Sequence, residues 1–143
     1  MSKAKAIGTA AETAVRNHLL SAGYSPLAAH RNVLKGTQDE GDVWLRESYG
    51  LMVFEVKGGK SAKEASWGQI QKWYQEAETE RKNADGKLGF LVTQRAGVGA
   101  PRAGEWWAYA TLGDLIYLRT RLESQNGTLV RLTLSDLVKL IHG

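Results

Sequence analysis

Cysteine is absent from the 143 residues. That excludes disulfides, thiolate zinc ligation and a thiol nucleophile, and it fits a reducing compartment such as the cytoplasm. Proline occurs only twice and no low-complexity tract is present, which argues against a long disordered linker. No apolar run approaches the ~20 residues of a membrane-spanning helix. The first residues also lack the apolar core of a signal peptide. The three histidines, His18, His30 and His142, are scattered and show no zinc-ligand spacing. Neither sign of charge dominates: 19 Lys and Arg against 15 Asp and Glu leave a net charge of +4. That excess is compatible with a nucleic-acid partner without singling one out. What remains is 43% hydrophobic and 24% charged, an ordinary globular composition in a length that suits one domain with its own core.

The stretch richest in chemistry is Leu51 to Lys57. Four apolar residues, Leu51 to Phe54, read as a buried strand, and Glu55-Val56-Lys57 completes it. On a strand, Glu55 and Lys57 share one face while Val56 takes the other. Charges seldom stand at the end of an apolar strand unless they are paired or bound to a metal. Asp42 opens the preceding apolar segment, Val43-Trp44-Leu45, which is expected to pair with this strand as a hairpin through residues 46–50. The hairpin would bring a second carboxylate near Glu55. Two acids and a lysine at a strand end suit a hard divalent cation acting on a phosphodiester. The bland alternative is a plain surface pair of Glu55 and Lys57.

The rest of the chain reads as alternating helices and strands, an α/β pattern. Residues 8–22 are predicted to form an amphipathic helix, with Ala11, Val15, Leu19 and Ala22 on one side and Gly23 as its stop. Thr9-x-x-Glu12 reads as a capping box, or Glu12 pairs with Arg16 one turn on. The sharper reading turns Glu12 toward the carboxylate cluster. Residues 27–33 read as an edge strand carrying Arg31, and residues 35–41 as a loop. A helix over residues 63–82 buries Trp67, Ile70, Tyr74 and Ala77. Its end, with Glu76, Glu78 and Glu80, reads as an exposed charged tip. Leu88 to Thr93 is a strong buried strand, expected to run parallel to residues 51–57. Beyond it come a glycine-rich loop with Arg95 and Arg102, a strand over 105–110, and a helix from Thr111. A short strand over 129–132 and a final helix capped by Ser135 complete the chain.

Asp42, Glu55-Val56-Lys57 at a strand end and a following helix with Gln69 resemble the PD-(D/E)XK nuclease superfamily. The Glu-x-Lys half is intact. The first half appears as Gly41-Asp42, without the proline that names the motif. Gly8-Thr9-Ala10-Ala11-Glu12 resembles the glycine-small-x-x-glutamate of archaeal-type Holliday junction resolvases. Gln69-Ile70-Gln71-Lys72-Trp73 is similar to their glutamine-bearing helix. The resemblance covers roughly residues 7–93.

It implies a single nuclease domain: a restriction-endonuclease-like core of α-β-β-β-α-β order around a mixed sheet flanked by helices. Residues 94–143 would form a C-terminal α/β extension. It further implies a metal-dependent, structure-selective DNA endonuclease, a Holliday junction resolvase, of a prokaryote or a phage and associated with the nucleoid. Another repair, nicking or restriction-type endonuclease is the alternative, and a non-catalytic DNA-binding module is the alternative of a different class. The implied catalytic set is Glu12, Asp42, Glu55, Lys57 and Gln69. The implied ligands for Mg²⁺ or Mn²⁺ are Asp42, Glu55 and the Val56 carbonyl. Contacts to branched double-stranded DNA are expected from Lys3, Lys5, Arg31, Lys35 and Lys60, mainly through phosphates. A homodimer with two symmetric sites is expected for cutting a symmetric junction.

Overall fold

The computed structural model describes residues 2–32 and 42–143. Lys35, named above for a DNA contact, and the whole loop expected over residues 35–41 lie outside the described residues. The chain folds around one six-stranded mixed sheet whose spatial order follows the chain: β1 (Ala29–Asn32), β2 (Asp42–Glu47), β3 (Gly50–Lys57), β4 (Leu88–Thr93), β5 (Trp107–Thr111) and β6 (Leu129–Thr133). Among the described residues only β3 and β4 run parallel, and every other neighbouring pair is antiparallel. The parallel pair needs a crossover. It is supplied by α2 (Gly59–Lys63) and α3 (Trp67–Asn83). The other helices are α1 (Lys3–Ser21), α4 (Leu112–Thr120) and α5 (Leu134–His142).

Four of the helices begin at a hydroxyl cap. Ser2, Ser66, Thr111 and Thr133 each accept a hydrogen bond from the backbone N–H three residues on. Such a cap satisfies one of the donors a helix start leaves over. Two expectations are corrected here. The first helix starts at Lys3 rather than near Gly8, so Thr9 lies inside it and Thr9-x-x-Glu12 is no capping box. The alanine-rich start carries the helix through Gly8 in spite of that residue's poor propensity. The last helix is capped by Thr133, and Ser135 lies within it. The helix expected over residues 63–82 is broken into α2 and α3 by a turn at Glu64 to Ser66.

The alternation of each strand divides the core in two. Val43, Leu45, Met52, Phe54, Val56, Phe90, Val92, Ala108 and Ala110 project to one face. There they pack with Ala11, Ala14, Val15 and Leu19 of α1 and with Leu134, Leu137, Val138 and Ile141 of α5. On the other face Leu91 and Tyr109 meet Ile70 and Tyr74 of α3. All six residues of β4 are buried, which explains its unbroken apolar run. Residues 94–143 add β5 and β6 to the same sheet and two helices to the larger core, so the extension shares its packing with the region before it. Trp106 falls just before β5 rather than within a strand. It is buried there, its indole N–H donating to the Val98 carbonyl at 2.8 Å. Among the described residues no helix is long and apolar enough to cross a membrane.

Candidate active site

The hairpin of β2 and β3 does what its sequence implied. The ladder ends with Val43 paired to Phe54, and Asp42 and Glu55 are the next residues along the two strands, so strand alternation turns both to the same face. Asp42 also pairs with Asn32 of the edge strand β1. Residues directly across an antiparallel pair share a face, and Lys57 shares the face of Glu55. Asp42, Glu55 and Lys57 therefore project together toward the side covered by α3. Val56 turns its side chain into the opposite core, so only its backbone is available to this group. Asp42 and Glu55 are each only 3% exposed.

Helix α3 completes the cluster. Lys57 Nζ lies 3.5 Å from Glu55 Oε1 and 3.3 Å from Glu76 Oε1, and 5.7 Å from the centre of the Trp73 ring. Burial pushes the Asp42 carboxyl up to about 6, and the charge of Glu80 pushes it the same way. The Asn32 side chain, the Trp44 indole and the residue's own backbone pull weakly in the other direction. Glu76 and Glu80 stand one turn apart on α3, as do Gln69 and Trp73. Glu76 and Glu80 are half-buried, so the expectation of an exposed charged tip does not hold for them. Sequence reasoning missed both. Their stripe, 69-73-76-80, lies directly beside the buried stripe 70-74-77, and that adjacency was readable.

Two buried polar atoms here, Asp42 Oδ1 and the Trp44 indole Nε1, make no well-formed hydrogen bond among the described residues, although the Asn32 side chain and the Trp44 indole lie near enough to the carboxylate to favour its charged form. Such orphans are uncommon in native proteins and point to a site that takes something from outside. For Asp42 the missing partner must be a donor or a cation. A hard oxygen pair, with one lone pair unspent, fits Mg²⁺ or Mn²⁺. Among the described residues no three His, Cys, Asp or Glu side chains converge closely enough to hold a metal alone. Mg²⁺ commonly binds through one or two carboxylates and keeps several waters, so two carboxylates and a backbone carbonyl suffice.

Glu12 does not join this group. It is 3% exposed on α1, which covers the other face of the sheet, and its Oε1 accepts from Arg31 Nε and Nη2 at 3.1 and 2.9 Å. Arg31 stands across from Val43, a residue of the α1 side, so the ladder sends it to Glu12 and away from Asp42. This corrects two expectations together: Glu12 holds an arginine, and Arg31 is committed to that carboxylate rather than free for DNA. Gln69 lies half-buried in the first turn of α3, its N–H donating to the Ser66 hydroxyl at 3.1 Å. Lys3, Lys5 and Lys60 are exposed, the first two at the start of α1 and the third on α2 just beyond Lys57.

A cavity of about 600 Å³ lies elsewhere, toward the opposite edge of the sheet, among Tyr74, Glu78, Arg81, Thr111, Asp114 and Glu123. Burial first, and Glu78 second, raise the Asp114 carboxyl to about 6 there. None of its lining residues belongs to the Asp42 group. Comparison with protein-family models, with curated proteins and with solved structures finds no match.

Proposed function

We propose that the chain is a metal-dependent, structure-selective DNA endonuclease with a restriction-endonuclease-like fold, a Holliday junction resolvase acting as a homodimer on branched double-stranded DNA. The observation that carries the reading is the arrangement at the end of β2 and β3: buried Asp42 and buried Glu55 next to the paired Val43 and Phe54, Lys57 on the face of Glu55, and one Asp42 oxygen without a well-formed hydrogen bond among the described residues. Asp42, Glu55 and the Val56 carbonyl would hold Mg²⁺ or Mn²⁺. A divalent cation there supplies Lewis-acid withdrawal of charge from a phosphate and lowers the pKa of water.

The chain's own groups supply the rest. The Lys57 ammonium, braced by Glu55 and Glu76, holds positive charge where a phosphodiester gains negative charge during attack. Trp73 backs the same ammonium and limits its swing. Burial first, and Glu80 second, raise the proton affinity of Asp42, so the acid is readied to exchange a proton for a cation near neutral pH. Gln69, at the start of the stripe that carries Trp73 and Glu76, is assigned to orienting the phosphate. Lys3, Lys5 and Lys60 would grip phosphates around the site. Arg31 and Glu12 hold α1 to β1 instead.

The test is a cleavage assay with Mg²⁺ or Mn²⁺ on four-way, flap, nicked and linear DNA. Cutting of the junction far above linear duplex is expected. Asp42→Asn, Glu55→Gln and Lys57→Ala should each abolish cutting while leaving DNA binding largely intact. Full activity in EDTA would overturn the metal mechanism. Equal cutting of all four substrates would reduce the reading to a general endonuclease.

A further inference from the structure

A second cationic surface is built by the C-terminal strands, apart from the lysines named above. A cavity of about 250 Å³ opens among Lys63, Thr93, Arg95, Trp107, Tyr109 and Arg131, and no acidic side chain lines it. The Trp107 ring carries two guanidiniums, Arg95 at 4.0 Å and Arg131 at 4.1 Å from its centre. Both guanidiniums therefore rest on this one ring. Stacking uses their flat sides and leaves the in-plane N–H donors directed outward. Arg95 spends one donor on the Glu105 carbonyl at 3.1 Å. Arg131 is exposed and makes no ion pair among the described residues.

The ladder fixes where this surface lies. Lys57 pairs with Thr93, and Thr93 pairs with Trp107. The ring is thus two strand spacings, ~10 Å, from the backbone of the candidate catalytic lysine, on the same face. Trp67, half exposed at the start of α3, packs 6.2 Å from Tyr109 at the cavity wall and adds a flat apolar surface.

We propose that Arg95 and Arg131, mounted on Trp107, clamp the phosphates of the DNA strand that continues past the candidate active site. The occupant is fixed by charge: Arg131 makes no ion pair among the described residues, Arg95 feels only the exposed Glu105 carboxylate shared with Arg102, and two pre-oriented guanidiniums suit a polyanion with regularly spaced oxygens. The proposal deepens the nuclease reading and depends on it for the nature of the anion.

The measurement is binding of a fluorescein-labelled four-way junction to the full chain in EDTA, by fluorescence anisotropy over a salt series. Arg95→Gln and Arg131→Gln are each expected to weaken binding and to lower the slope of log K against log salt by about 1, and the double variant by about 2. Trp107→Leu, which removes the mount but neither charge, should weaken binding with little change in slope. A double variant with wild-type affinity and slope overturns the proposal, as does a wild-type chain that binds no DNA. If the wild type binds without ever cutting and the double variant loses binding, the clamp stands and the nuclease reading falls. If the wild type cuts and the double variant binds unchanged, the reverse holds.

Discussion

Asp42→Asn should make the protein more stable, and the gain should depend on pH. The carboxyl of Asp42 is raised from 3.8 to about 6, chiefly by burial and next by Glu80. A folded-state pKa above the unfolded value means that the folded chain binds the proton more tightly. Between about pH 4 and 6 the folded state therefore holds more protons than the unfolded state, and stability falls as pH rises through that window. Above it, Asp42 is charged in both states and the folded state carries the whole penalty. Each tenfold change in proton affinity is worth about 1.4 kcal/mol, so the rise amounts to at most about 3 kcal/mol. Water reaching the end of the sheet lowers the expected figure to ~2 kcal/mol. Asparagine has the shape of the neutral acid and escapes the penalty. Urea unfolding of both forms at pH 4, 6 and 8 measures the difference directly. Asp114, raised in the same way, cancels because both proteins contain it. The variant should lead by ~2 kcal/mol at pH 8 and by little at pH 4. A difference that does not change with pH would refute the argument. Adding Mg²⁺ separates the proposed site from mere strain: at ten times its Kd the ion should stabilise the wild type by about 1.4 kcal/mol and leave the variant almost unmoved.

Three further expectations probe the surroundings. Glu80→Gln removes the like charge facing Asp42, so the Asp42 carboxyl should titrate at lower pH, as followed by carboxyl carbon shifts in NMR. Arg31→Met leaves Glu12 buried without its cation and should cost roughly 3 kcal/mol in urea unfolding at neutral pH, most of it recovered when Glu12→Gln is added; a weakened DNA affinity with unchanged stability would instead return Arg31 to the DNA surface. Gly58→Ala should cost about 1–3 kcal/mol by thermal unfolding, because the new methyl would stand 2.7 Å from the Ala11 methyl where α1 crosses the end of β3.

The hairpin that carries Asp42, Glu55 and Lys57 was legible because its information is local. Period-two alternation fixes the faces of β3, and a short connection leaves β2 only a few registers to choose from. Glu12 was not legible in that way. A residue at the rim of an amphipathic helix can meet either face of a sheet, and which one is decided by packing that no local pattern encodes. Ala11, Val15 and Leu19 bury against the side of Val43 and Phe54, and that choice carries Glu12 to Arg31. Glu76 and Glu80 were misread for a different reason. Lying in a run dense in charge, they look solvated, yet the Ile70-Tyr74-Ala77 stripe beside them goes down onto the sheet and leaves both half-buried. The arginines on Trp107 come from a loop and a strand 36 positions apart, and only the pairing of β5 with β6 joins them.

Charge is sorted sharply along this face of the sheet, and the sorting has a consequence. Glu55 and Glu76 flank Lys57 and Glu80 faces Asp42 at the end of β2 and β3, while Lys63, Arg95 and Arg131 line the cavity on the far side of β4. A uniformly basic surface would bind DNA and repel a divalent cation, and a uniformly acidic one would do the reverse. Placing the acids at the end of β2 and β3 and the guanidiniums beyond β4 lets one face hold both without mutual screening across the cavity. The cost is the raised Asp42 carboxyl, and that cost sets a pH limit on the proposed function. Cation and proton compete for the same oxygen, so affinity for Mg²⁺ should hold roughly constant above about pH 6 and weaken about tenfold for each unit below it. Isothermal titration of the full chain with MgCl₂ at pH 5, 6, 7 and 8 reads this curve. An affinity still rising steeply from pH 7 to 8 would mean that some other group, and not Asp42, yields its proton to the ion.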